Sequence, residues 1–211
     1  MDALRRLHNQ CKRRLIERIV SKNSHVLDCG CGRGGDIHKW SSVGALVVGV
    51  DPDPESIREA QERAKTMSTF QCMVGDIFVG KAYGPFDVVC YNFSIQYIVD
   101  TLKESAQAIA NATKIGGYLI GITPDFDRIK NFKSPDALGN SIEIVDEHTI
   151  SVQLVDGPFY ATGSRHEPTV TRQVLERALR PWFICLEWNP MLSRPNGLIS
   201  DVYSSFIFKR Y

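Results

Sequence analysis

Val26-Leu27-Asp28-Cys29-Gly30-Cys31-Gly32-Arg33-Gly34-Gly35-Asp36 is the stretch that organises the rest of the chain. Val26, Leu27 and Cys29 read as a short buried strand. The glycines behind them form a turn with no side chains in the way, and Asp36-Ile37-His38-Lys39-Trp40 then reads as helix. A strand, a glycine turn and a helix start present free backbone N–H groups and a bare surface to a ligand. Roughly twenty residues after Gly30, the apolar run Leu46-Val47-Val48-Gly49-Val50 ends in Asp51, where a doubly wound sheet places an acid to hold a ribose diol. The Gly-x-Gly-x-Gly spacing is tighter than the dinucleotide fingerprint, although Gly35 also fits the looser form. The stretch reads as a site for a nucleotide-type cofactor, with a Gly-rich turn of any α/β protein as the bland alternative.

Outward from this stretch, strand and helix alternate. Pro54–Lys65 reads as a helix with proline at its start and Glu55 in its first turn. Thr69–Val74 and Phe86–Asn92 read as strands, Asp100–Thr113 as a helix, and Tyr118–Ile122 as a strand entered through Ile115-Gly116-Gly117. This order predicts a parallel doubly wound sheet whose ligands lie at the carboxyl ends of the strands, at Gly30, Asp51, Asp76, Asn92 and Thr123. Residues 125–140 read as an irregular surface segment, and Ser141–Val155 alternates like a half-exposed hairpin. Thr171–Arg180 reads as a helix stopped by Pro181, and Trp182–Trp188 and Tyr203–Lys209 as two closing strands.

At the front, Leu4, Leu7, Cys11, Leu15 and Ile19 recur at helical spacing. The opposite face carries Arg5, Arg6, Lys12, Arg13, Arg14 and Arg18 against only Asp2 and Glu17, a local excess that attracts phosphates unless it is simply a solvated face. The 211 residues suit a single domain over 1–211, with 43% apolar and 23% charged residues as in an ordinary globular protein. A net charge of +1 neither requires nor excludes a polyanionic partner. The six cysteines sit mostly in apolar runs without Cys-x-x-Cys spacing, which reads as reduced core residues of an intracellular protein. No metal-ligand spacing, signal peptide or membrane-length apolar run is present.

Several segments together resemble the mRNA cap guanine-N7 methyltransferases. The resemblance is carried by Asn9-Gln10-Cys11-Lys12, by the glycine stretch through Lys39-Trp40, by Asn92-Phe93-Ser94-Ile95-Gln96-Tyr97, and by Gly116-Gly117-Tyr118 through Thr123-Pro124-Asp125. It implies a Rossmann-like class I S-adenosylmethionine-dependent methyltransferase, α/β, mostly parallel with an antiparallel C-terminal strand. S-adenosyl-L-methionine is the implied cofactor. Lys12 is implied for its carboxylate, Asp28 and Gly30 for the methionine part, Asp51 for the ribose, Asp76 and the Ile77 backbone for adenine, and Asn92 where the family usually has Gln.

For the cap, the resemblance implies Tyr97, Glu167 and Tyr203 around the guanine, with Gln96 in place of a family His. Asn9, Arg33 and Lys39 are implied for the triphosphate. The implied reaction is methyl transfer to guanine N7 of the GpppN cap by in-line displacement, catalysed by positioning, with no catalytic side chain and no metal. None of the five histidines is given a chemical role. Capped RNA is the implied substrate, triphosphatase and guanylyltransferase modules or an activating subunit are implied partners, and no membrane is involved. The compact length is similar to the methyltransferase module of capping enzymes from large cytoplasmic DNA viruses such as asfarvirus, which implies a cytoplasmic location; a cellular enzyme implies the nucleus. Open alternatives are a nicotinamide oxidoreductase, another S-adenosylmethionine-dependent methyltransferase, and a non-catalytic cap-binding or regulatory module on the same fold.

Overall fold

The computed structural model describes residues 3–155 and 163–211; Asp2, counted above beside the basic helix, lies outside them. In chain order the elements are α1 (Ala3–Ile19), β1 (His25–Cys29), α2 (Ile37–Ser42), β2 (Leu46–Asp51), α3 (Pro54–Ala64), β3 (Phe70–Val74), α4 (Ile77–Gly80), β4 (Phe86–Asn92), α5 (Leu102–Ala112) and β5 (Thr113–Pro124). Then follow α6 (Phe126–Ile129), β6 (Ser141–Ile144), β7 (Thr149–Gln153), β8 (Arg165–Pro168), α7 (Arg172–Leu179), β9 (Phe183–Pro190) and β10 (Tyr203–Arg210). Short 3-10 segments, Lys81–Tyr83, Ile95–Thr101 and Ile199–Val202, precede β4, α5 and β10.

Seven strands form one sheet in the order β3-β2-β1-β4-β5-β10-β9. β1 pairs in parallel with both β2 and β4, so the strand order reverses there and leaves a crevice at the carboxyl ends of β1 and β4. β10 runs antiparallel to both β5 and β9, as expected for the last strand. Strands buried on both faces need apolar residues at successive positions. Val26 and Leu27 therefore serve opposite cores, as do Val88 and Val89, and Leu119 and Ile120. One core lies under α5 and α7 and holds Leu27, Val89, Leu119, Phe206 and Phe208. The other lies under α1 and α2 and holds Val26, Val88, Ile120, Ile207, Ile16 and Trp40.

Local chemistry sets the helix starts. Asp53 accepts from the Glu55 and Ser56 amides and Pro54 fills the first turn of α3, while Thr171 accepts from the Val174 amide at α7. Three segments depart from the sequence reading. β5 begins at Thr113 rather than Tyr118, with a register slip between Phe86 and Val88 where the backbone bulges at Gly116. The segment expected to be wholly irregular contains α6, capped by Asp125. The hairpin of β6 and β7 gains a third strand, β8, whose polar Arg-His-Glu-Pro sequence carries no strand signal.

Phe206 is fully buried, stacked on Trp188 at 5.8 Å and edge-on to Phe208 at 5.9 Å. Phe206→Ala removes the ring on which β9 and β10 close over α7. It is expected to cost about 3–5 kcal/mol of unfolding free energy in a denaturant titration.

Candidate active site

The carboxyl ends of the strands are tied together by short bonds. Gly30 and Cys31 donate their amides to Val50 O at 2.8 and 3.1 Å, and Ser94 Oγ donates to Cys29 O at 2.6 Å. Gly30 has φ +76°, and a Cβ there meets Ser94 Cβ at 2.5 Å, so only glycine lets the turn pass so close to β4. Asp51 accepts the Gly32 amide at 2.8 Å and the Asp53 amide at 3.0 Å, which aims its carboxylate at the glycine turn.

Behind the turn sits a buried polar cluster. Asp36 occupies the cap position of α2 but makes no cap bond to the helix. Its Oδ1 instead meets Lys12 Nζ at 2.6 Å and Lys39 Nζ at 2.7 Å, and its Oδ2 accepts from Asn92 Nδ2 at 3.1 Å. Burial alone raises the pKa of such a carboxyl. The two ammonium groups more than offset it, so Asp36 lies below the usual carboxylate range. Asp28, bonded to Trp40 Nε1 at 2.9 Å, has no such counter-ion in contact; burial first, then the Asp36 charge, pushes it up to about 7.

The cofactor residues expected from the sequence converge here. Lys12 spends one ammonium hydrogen on Asp36 and lies 5.9 Å over the Phe93 ring. Asn92 Oδ1 is buried without a protein donor, an acceptor that fits an ammonium group such as the one on an amino-acid cofactor. Asp76 caps α4 by accepting the Phe78 amide at Oδ1, and Ile77 is buried directly behind it.

The cap residues converge as well. β8 packs against the 3-10 segment Ile95–Thr101, which carries Glu167 to Tyr97. The Tyr97 ring is 59% exposed, yet partial burial, then the Glu167 charge, pushes its hydroxyl up to about 12. Burial, then Glu167 and Tyr97, raises the Tyr203 hydroxyl in the same way. Glu167 sits on a strand, partly buried, and not on a solvated loop.

Other expected residues are placed differently. Lys39 is buried, and its three ammonium hydrogens go to Asp36, Asn9 Oδ1 at 2.9 Å and Gly35 O at 3.0 Å, so none is left for a phosphate. Asn9 is the acceptor in that arrangement. Arg33 is exposed and pairs with Glu59 at 3.2 Å, a surface contact worth about 0–1 kcal/mol that leaves the guanidinium free to exchange partners. Gln96 is buried, donates to Phe93 O at 3.1 Å and is hydrogen-bonded to the Tyr97 hydroxyl, so its amide is held by the protein. Thr123 is fully buried rather than at the cradle surface. Asp125 accepts from Trp188 Nε1 at 2.8 Å and Ser204 Oγ at 2.6 Å, which makes it a tie between strands.

Two residues without an assigned role join the cradle. Phe93 takes φ +62°, a strained conformation for a bulky side chain, and its ring packs 5.1 Å from both His8 and Tyr203. His8 Nε2 lies 2.8 Å from Ser200 Oγ. Helix periodicity places His8 beside Leu4 and Lys12, the one signal in the sequence that pointed to the site. Among the described residues no group of His, Cys, Asp or Glu is arranged to hold a metal ion, and no helix is long and apolar enough to cross a membrane.

Comparison with known proteins gives three results. The profile of the mRNA (guanine-N(7))-methyltransferase domain matches residues 1–161. The mRNA cap guanine-N(7) methyltransferase of Saccharomyces cerevisiae is 33% identical over 181 residues, covering 74% of this chain and 42% of its own length. The chain thus spans about two fifths of that relative. In fold, the PH0226 protein of Pyrococcus horikoshii superposes with a TM-score of 0.71 at 20% identity, covering 100% of this chain and 92% of its own. An S-adenosylmethionine-dependent methyltransferase of Clostridium acetobutylicum superposes with a TM-score of 0.65 at 18% identity, over 100% and 92%.

The Asp28 carboxyl yields a pH test. Its folded value near 7 exceeds the ordinary 3.8, so between about pH 4 and pH 7 the folded protein keeps a proton that the unfolded chain has released. That contribution to stability is lost as pH rises through the interval. Asp28→Asn keeps an acceptor for Trp40 and removes the titration. Relative to the parent, the variant is expected to be more stable at about pH 7.5 than at about pH 5 in urea unfolding.

Proposed function

The chain belongs to the mRNA (guanine-N(7))-methyltransferase domain family, and from that premise we propose that it transfers a methyl group from S-adenosylmethionine to guanine N7 of the RNA cap GpppN. The observation that carries this reading is the meeting of Tyr97, Glu167 and Tyr203 beside the strand-end cradle, with Lys12 and Phe93 where the two halves join. When bound, the cofactor would supply an electrophilic methyl to the N7 lone pair, with its sulfur as the leaving group.

The protein's part is to hold and to exclude. The two remaining hydrogens of the Lys12 ammonium suit a carboxylate, and the buried Asn92 Oδ1 suits an ammonium. Asp51 accepts from ribose hydroxyls, while Asp76 and the Ile77 amide border the adenine; Asp28 and Gly30 shape the methionine end. Tyr97 and Tyr203 wall the guanine, and Glu167 accepts the two N–H groups of its Watson–Crick edge. Transfer leaves positive charge on the purine, which the Glu167 carboxylate favours. N7 carries no proton at neutral pH, so no base is needed. Both tyrosine hydroxyls, pushed upward, stay neutral donors. Alignment alone can supply about 7–11 kcal/mol of barrier reduction. Arg33 on the glycine turn and the Asn9 amide are the proposed triphosphate contacts; Lys39 is not.

The wider reading is that residues 1–211 form one methyltransferase domain that works beside triphosphatase and guanylyltransferase modules or an activating subunit. Its narrower version is a module of a viral capping enzyme working in the cytoplasm. The full reading frame in its source genome tests this, since a viral module is expected in one polypeptide with the other capping activities.

Incubation of labelled cofactor with capped RNA, followed by nuclease digestion, tests the reaction: 7-methylguanosine is the expected product. Label in any other nucleoside, or none, overturns the reading in favour of another methyltransferase or a cap-binding module. Asp51→Ala is expected to weaken cofactor binding on the order of a hundredfold in calorimetry, the loss of two bonds to a charged acceptor. Glu167→Ala is expected to raise KM for capped RNA at least tenfold while cofactor affinity is unchanged; the reverse pattern removes Glu167 from the guanine site.

A further inference from the structure

The exposed arginines of α1 have no part in the cradle, and Arg14 and Arg18 among them border a second concavity. A groove of about 450 Å³ runs between α1 and the turn that links β9 to β10. Cys11, Arg14 and Arg18 line one wall, and Glu187, Asn189 and Ser193 the other. The groove begins beside the guanine pocket. The Met191 amide donates to Tyr203 O at 2.8 Å, and the Cys11 thiol donates to Met191 O at 3.6 Å. Ser205, which also lines the groove, lies two residues beyond Tyr203 on the same face of β10, about 7 Å away.

The charge along this wall is uneven. Arg5, Arg6, Arg13, Arg14 and Arg18 are all exposed on α1, against Glu17 as the acid of the described helix. Arg13 stands 3.8 Å from Glu17 and Arg18 2.8 Å from Glu187, both in solvent-facing pairs that exchange readily with other anions. Arg14 makes no ion pair among the described residues and faces the groove one helical turn, about 6 Å, from Arg18. Arg194 follows Ser193 on the exposed turn. The floor is apolar, with Leu15, Met191 and Leu192 buried beneath these cations.

Cations at the rim, an amide and a hydroxyl on the far wall and an apolar floor match the phosphates, sugar edges and flat bases of a single RNA strand. An occupant of the guanine pocket is covalently joined to such a strand, which raises the strand's local concentration in the adjoining groove. We propose that this groove seats the RNA immediately downstream of the cap, with Arg14 and Arg18 on its phosphodiesters and a base or ribose over Met191 and Leu192. The proposal rests on the cap-methylation reading.

The test compares the parent protein with Arg14→Ala/Arg18→Ala and Arg14→Lys/Arg18→Lys, and with Arg58→Ala as a control at an exposed position on α3. Substrates are the cap dinucleotide GpppA and a capped decanucleotide, and binding of the uncapped 5′-triphosphate decanucleotide is measured alongside. For the parent, KM for the capped decanucleotide is expected to be on the order of tenfold below that for GpppA. In the alanine double variant this preference disappears, both constants for GpppA stay unchanged, and the salt slope of decanucleotide binding falls by about 1.4. The lysine variant retains most of the preference, and Arg58→Ala all of it.

A parent protein without length preference, or an alanine variant that keeps it, overturns the proposal. So does an equal loss on both substrates, or displacement of the decanucleotide by decaglutamate as effectively as by RNA, which assigns the groove to an acidic protein segment. Failure of the parent to methylate both GpppA and the capped decanucleotide sinks the cap reading instead. Binding of the uncapped strand then decides the groove independently: sensitivity to the alanine variant sustains it, and indifference removes it.

Discussion

Asp36 accepts from two lysines and an asparagine that come from three separate elements, α1, α2 and β4. An ionised carboxylate in the interior is costly without counter-charges, and two buried ammonium groups are costly without an anion. Each makes the others tolerable, and the arrangement exists only when α1 packs against α2 and β5. Lys12, Asn92 and the glycine turn are thereby held in one place before any ligand arrives. Lys39, which looks like a surface cation in the sequence, is the structural half of this cluster. Lys12, with hydrogens to spare, is the half that faces the cradle.

The parallel sheet supplies the rest of the geometry. Because the order reverses at β1, the tips of β1 and β4 separate enough to leave a crevice, and the glycine turn and Asp51 form one wall of it. The small sheet of β6, β7 and β8 brings in what the main sheet lacks, a carboxylate on the far side. Glu167 pairs across β7 with Ile150, which is buried against Leu4 and Val202. The acid that faces the two tyrosines is thus anchored by a separate hydrophobic cluster. A reaction that needs only alignment is served by this construction, in which rigid elements carry the contacts.

The residues of the sequence alone determined the layered sheet, the glycine turn and the acid on the second strand. These depend on local chemistry: apolar runs, glycine's access to positive φ, proline at helix starts. The resemblance to cap methyltransferases supplied residue roles, and Lys12, Asp51, Asn92, Tyr97, Glu167 and Tyr203 do come together in space. What sequence could not decide is which polar groups are consumed internally. Lys39, Gln96, Thr123 and Asp125 look available in a linear reading, and each is buried with its bonds met inside the protein. The strand β8 has no apolar alternation and exists because β7 offers an edge for it, while Phe93 and His8 enter the site through a strained backbone and a helix face. A hydrogen bond's partner is set by distances across the fold, between residues as far apart as Asp36 and Asn92 or Asp125 and Ser204, and only the packed structure brings them within 3.1 Å.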